Sequence, residues 1–167
     1  MKKLAALVGL TTAFAAHAGM QGSTVSVDFF YPDTSSFFCA SGSAMVGDGV
    51  EYPAGCDGFA AVSIDLSDAG MVVGHTLSAF LPGSFNGFRL TVLSGPAITG
   101  ASYLGGTLGL TSLTLDGGSL WVNFAGQGQG EANFVLTTAV PEPATYALMG
   151  LGLLGVAAVA RRRRVGG

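Results

Sequence analysis

Between residues 25 and 138 apolar and polar side chains alternate in short runs separated by turn-forming residues. Seven stretches stand out, at 25–31, 59–66, 75–81, 88–93, 108–115, 120–124 and 133–138, each rich in β-branched, aromatic or aliphatic residues. Alternation at a period of two sends one set of side chains to a buried face and the other to solvent, which predicts strands. Pro32-Asp33, Asp48-Gly49, Asp57-Gly58, Asn86-Gly87 and Asp116-Gly117-Gly118 fall between these stretches or at their ends. They are turn signals, because Gly, Asn and Asp tolerate positive φ and Pro fixes its own. The clearest hairpin joins Leu113-Thr114-Leu115 to Leu120-Trp121-Val122. No part of this region holds a 3.6-residue period with caps. Seven or eight strands are predicted, in an all-β sandwich of jelly-roll or immunoglobulin-like type.

The two ends follow another pattern. Residues 1–18 pass from Lys2 and Lys3 through an uncharged apolar run, Leu4 to Ala16, to small residues at Ala16 and Ala18. This is the three-part layout of a secretory signal peptide, removed by signal peptidase after Ala18 or a few residues earlier. Thirteen apolar residues at about 1.5 Å each reach roughly 20 Å, short of a ~30 Å hydrocarbon core, which argues against a retained anchor. Residues 144–160 form a run of 17 without a charge, and Arg161, Arg162, Arg163 and Arg164 come at once after it. That predicts a single transmembrane helix at the lower limit of spanning length, stopped by arginines whose stems extend its reach. A buried helix of a soluble fold is the alternative, but such a helix seldom ends in four arginines. The positive-inside bias places the arginines in the cytoplasm and the body outside.

Charge sharpens this division. Of the seven Lys and Arg only Arg89 lies within residues 19–140, against nine acids there, a net of −8 hidden beneath the overall −3. The cations belong to the termini, so a nucleic-acid-binding surface is excluded. A body of 122 residues is the usual size of one domain. Glycine supplies 21 of them, far above the ordinary ~7%. A low-complexity or solenoid chain would explain that, yet no repeat of fixed period is present. Ten phenylalanines and Trp121 supply the apolar mass of a core. The run Gly126-Gln127-Gly128-Gln129-Gly130 reads as a flexible loop.

Just ahead of the apolar run stands Val140-Pro141-Glu142-Pro143. Prolines lack the N–H that a ladder needs, so this segment should be extended and accessible, as a processing enzyme requires; a stiff spacer is the plainer reading. The tetrapeptide, the Leu/Gly/Ala-rich stretch and the terminal arginines together resemble the PEP-CTERM sorting signal of exported bacterial proteins, over residues 140–165. The resemblance implies that Pro141, Glu142 and Pro143 form the sorting motif of an exosortase, a membrane-embedded, cysteine-dependent, transpeptidase-like enzyme whose substrate is this chain. It further implies that helix 144–160 and Arg161 to Arg164 hold the precursor in the inner membrane and are then removed. The body, residues 19–139, would pass to the cell surface or an extracellular matrix, with exopolysaccharide among its implied partners. The same signal also goes by the label of ice-binding protein C-terminal domain, which is no sign of ice binding. More loosely, Phe29-Phe30-Tyr31-Pro32-Asp33 and Gly49-Val50-Glu51-Tyr52-Pro53 resemble stretches of β bodies found ahead of this signal, which have no assigned activity.

Little in the body points to catalysis. Cys39 and Cys56 are the only cysteines, and an even count in an exported chain favours a disulfide over a nucleophilic thiol or a two-Cys metal site. His75 is the single histidine outside the signal peptide. No G-x-S-x-G elbow or H-E-x-x-H accompanies it, so a strand-end histidine with an ordinary hydrogen bond is expected and a secreted hydrolase is the weakest reading. Gly150, Gly152 and Gly155 spell G-x-G-x-x-G without the preceding strand or the following acid that dinucleotide binding needs. Asp48, Glu51 and Asp57, with Asp65 and Asp68, could supply hard oxygen ligands for calcium, although scattered acids usually form a solvated surface. No cofactor and no metal site is assigned. Trp121 is expected in the core; exposed beside Asp and Asn it would instead favour a carbohydrate site. The expectation is therefore a non-catalytic structural or adhesive body, with a carbohydrate- or calcium-binding module as the alternative.

Overall fold

The computed structural model describes residues 19–56, 61–77, 79–140 and 150–154. Among these described residues nine strands form: β1 (Thr24–Phe30), β2 (Phe37–Met45), β3 (Val62–Leu66), β4 (Gly70–His75), β5 (Gly87–Ser94), β6 (Ile98–Gly106), β7 (Ser112–Asp116), β8 (Ser119–Asn123) and β9 (Gly130–Thr138). Pairing is antiparallel throughout and makes two sheets, ordered β2-β1-β5-β8-β7 and β3-β4-β9-β6. Period-two alternation explains which side chains meet. Val25, Val27 and Phe29 of β1 are buried between outward Thr24, Ser26 and Asp28, and Val62, Ile64 and Leu66 of β3 repeat the pattern. Inward residues of both sheets, Phe88 and Leu120 from the first and Met71 and Phe134 from the second, belong to one core. Burial of that shared apolar surface holds the two layers together.

The predicted all-β class stands, but the strand order is not that of an immunoglobulin domain. There the second strand lies between the first and fifth; here β1 lies between β2 and β5. The foreseen hairpin is β7–β8, with Leu113 opposite Val122 and Leu115 opposite Leu120. Gly117 (φ 57°) and Gly118 (φ 77°) form its two-residue turn in the left-handed conformation that such turns demand. At Gly87 the reason for glycine is proximity, since a Cβ there would run into the Val122 carbonyl across the β5–β8 pair.

Several expectations are corrected. β2 and β6 are edge strands not foreseen in the sequence, and both carry register irregularities against their partners. The predicted strand 75–81 is displaced: β4 runs earlier and ends at His75, and residues 76, 77 and 79–81 are not in a strand. Beyond it Phe80 turns inward as a plug, donating its N–H to the Gln127 carbonyl at 2.8 Å. The glycine-rich run after Phe124 is correspondingly a structured turn, with the Gly126 N–H on the Phe80 carbonyl (3.0 Å) and the Gln127 N–H on that of Phe124 (2.8 Å). Residues 108–111 precede rather than begin β7, and Leu108 is fully buried.

The predicted signal peptide, residues 1–18, lies outside the described residues, as does most of predicted helix 144–160. Gly150 to Leu154 are helical. Among the described residues no helix is long and apolar enough to cross a membrane.

Candidate binding face and sorting segment

Cys39 and Cys56 form a disulfide, with Cα atoms 5.7 Å apart. It ties edge strand β2 to a loop whose side chains serve the fold. The Tyr52 backbone pairs with Ile64 of the second sheet, while its hydroxyl donates to the Val25 carbonyl at 3.0 Å and the Gly42 carbonyl at 3.3 Å. Burial pushes this phenol up to about 12. Glu51 accepts the Gly47 N–H at 2.9 Å and the Leu66 N–H at 2.6 Å, one on each carboxylate oxygen. A residue that read as a calcium ligand is thus engaged by backbone. Asp48 accepts from the Gln21 side chain and Asp68 from the Gln21 N–H, each at 3.2 Å; Asp57 lies outside the described residues. Among the described residues no three His, Cys, Asp or Glu side chains gather as a metal site.

His75 closes β4 with its ring buried, 4.2 Å from the Phe80 ring centroid. Its Nδ1 sits 3.4 Å from the Gly128 carbonyl, and burial holds its pKa below the ordinary histidine value. Glu131 and Thr107 line the same shallow hollow. Register nevertheless separates them: Glu131 pairs with Gly74 and His75 with Gly130, and neighbouring positions point to opposite faces of a sheet. The histidine faces the core and the carboxylate faces out, so no acid–base pair forms there.

The outer face of the five-stranded sheet is built differently. Asp28, Arg89 and Trp121 are directly opposed across β1, β5 and β8. Arg89 Nη2 contacts Asp28 Oδ2 at 2.6 Å. Its guanidinium carbon lies 5.4 Å from the ring centroids of both Phe30 and Trp121, within cation–π range. Trp121 is therefore neither a core residue, as expected, nor a free platform: it is half-buried, with Phe30 at 5.0 Å and Phe85 edge-on at 5.7 Å.

Beside it opens a cleft of about 310 Å³. β7 supplies Ser112, Thr114 and Asp116, and β8 supplies Trp121 and Asn123. Thr34, Ser84 and Phe85 come from the loops above. Asn123 builds the wall rather than offering itself. Its Oδ1 accepts the N–H groups of Asn86 and Ala125, both at 3.0 Å, and its Nδ2 donates to the Ser84 carbonyl at 3.2 Å. Thr91 and Ser119 likewise satisfy each other at 2.9 Å. Ser112, Thr114 and Asp116 are exposed and make no side-chain hydrogen bond within the described residues. Sequence reasoning named Trp121 but missed this row, because it becomes a row only once β7 pairs at the sheet edge.

The sorting residues Pro141, Glu142 and Pro143 and the stop residues Arg161, Arg162, Arg163 and Arg164 lie outside the described residues. Their pattern is decided by comparison: residues 139–164 match the family model of the PEP-CTERM protein-sorting motif. The chain carries a PEP-CTERM protein-sorting motif at these residues. No curated protein and no solved structure matches it. The PEP-CTERM motif indicates exosortase-dependent sorting of an exported protein and implies a membrane-anchored precursor on the way to the cell surface. The match covers the tail alone, so the body speaks through its own geometry.

Proposed function

We propose that this chain is an exported surface or extracellular-matrix protein whose β body is a non-catalytic, adhesive module. The N-terminal 18 residues direct export and are removed; helix 144–160 and Arg161 to Arg164 hold the precursor in the inner membrane until an exosortase acts at Pro141, Glu142 and Pro143. The PEP-CTERM match at residues 139–164 carries the sorting part of this reading. A disulfide-closed sandwich suits an oxidising, extracytoplasmic setting. Support for adhesion without catalysis comes from the contrast between His75, turned into the core, and the open cleft beside Trp121.

Replacing Pro141, Glu142 and Pro143 together by alanine tests the sorting step. Export should continue while the precursor stays in the inner-membrane fraction; delivery of the variant to the surface at the wild-type level would refute it.

A further inference from the structure

We infer that the cleft between β7 and Trp121 is a binding site for an uncharged saccharide, which gives the adhesive reading above, on which this inference rests, its ligand. Three features meet there. Trp121 and Phe85 line the cleft with the part of their rings that packing on each other, Phe30 and Arg89 leaves uncovered, apolar surface against which the C–H groups of a sugar ring pack. Across from them on β7 stand hydroxyls and one carboxylate, Ser112, Thr114 and Asp116, whose side chains make no hydrogen bond among the described residues. A sugar carries both kinds of surface on one ring, and a pocket with an apolar body and a few convergent polar groups is the usual form of a ligand site. Asn123 holds the wall by accepting the backbone N–H groups of Asn86 and Ala125 and donating to the Ser84 carbonyl, so the cleft is preformed.

Size and charge narrow the ligand further. A cleft of about 310 Å³ is at the low end of the ~300–1,000 Å³ typical of ligand pockets, sized for a single ring. The outward groups of β7 nevertheless repeat every second residue, about 6.6 Å apart, and span about 13 Å along the exposed face of this edge strand. An extended polymer can therefore lay further units along the strand. Acidic polysaccharides are disfavoured, because the body carries nine acids against Arg89 alone, Arg89 is already paired with Asp28, and Asp116 sits in the cleft itself.

Trp121 is the only tryptophan of the chain, so its fluorescence reports the site directly. Full-length protein in detergent micelles is titrated with hexasaccharides of glucose (β-1,4, β-1,3 and α-1,4 linked) and of N-acetylglucosamine, and with an alginate hexamer of the same length. At least one uncharged probe should shift the emission saturably, the hexamer more tightly than the matching dimer, with alginate inactive. Asp116→Ala and Thr114→Ala, both at exposed edge positions and checked by unchanged melting, should each weaken binding about fivefold. The inference falls if no uncharged probe shifts the emission at millimolar concentration, if alginate binds as well as the best of them, or if neither substitution alters affinity. This assay needs no export or processing, so its failure is distinct from failure of the sorting step, which is read as location in cells.

Discussion

Residues 139–164 are recognised as letters in a row, whereas the candidate cleft exists only after β7, β8 and two distant loops have been brought together. In the tail, chemistry and sequence neighbourhood coincide: two prolines flank an acid, and an apolar run ends in arginines. In the body, residues far apart become one surface. Thr34 and Asp116 line the same cleft, and Asp28 meets Arg89 across a strand pair. The lesson is that changes in the tail should alter where the protein goes without altering how stable the sandwich is, and changes in the body should do the reverse. The triple alanine replacement in the sorting motif, with its all-or-none effect on location, is the largest test of that separation; it should leave the melting midpoint of the body unchanged.

Reduction of the Cys39–Cys56 disulfide comes next. A loop of this length contributes about 3 kcal/mol by the chain-entropy account, which for a body of this size lowers the thermal midpoint by roughly 10 °C. Scanning calorimetry of the full chain with and without reductant measures it, and a Cys39→Ala, Cys56→Ala variant should match the reduced protein. An unchanged midpoint would mean that the bridge does not hold the β2 edge to its loop.

The smallest effect concerns His75. Burial lowers its folded pKa below 6.5, so the unfolded chain binds the proton more readily than the folded one. Its contribution to stability is present above pH 6.5 and is lost as pH falls below that value toward the folded pKa. Melting curves between pH 7.5 and pH 5, both set by the ~6.5 reference value, should fall more steeply for the wild type than for His75→Gln. Equal slopes would show that the ring does not remain neutral in the core. Neither body change should disturb delivery of protein that still folds.

How much could be read in advance obeys the same division. The tail was legible because its signal needs no partner from elsewhere in the chain. In the body, β7–β8 was legible from Asp116-Gly117-Gly118, a turn that specifies its own hairpin. β2 was not: Phe37 to Met45 is mostly exposed on an edge, so no buried face imposes alternation. β6 ends in Gly105 and Gly106, both at positive φ, which breaks the pattern from the other side. The apolar run after His75 was misread because alternation shows that side chains take opposite environments, not that the backbone pairs; Phe80 is buried while Leu77 and Leu81 are exposed, all outside any strand. Glu51 and Tyr52 were noticed as letters, but their partners, Leu66 and Val25, are set by tertiary structure. Trp121 was placed correctly on a strand and wrongly in the core, because its outward position is set by the registers of β5 and β8.

The central claim is that an exosortase cuts this chain at its proline-flanked acid and discards the apolar run and the arginines. Mass spectrometry of the C-terminus of protein recovered from the cell surface tests it most directly. The account predicts a product that ends near Pro141 to Pro143 and lacks Arg161 to Arg164, and only full-length precursor in a host without the exosortase. Surface protein that keeps its four arginines, or the same shortened product in the host without that enzyme, would contradict it.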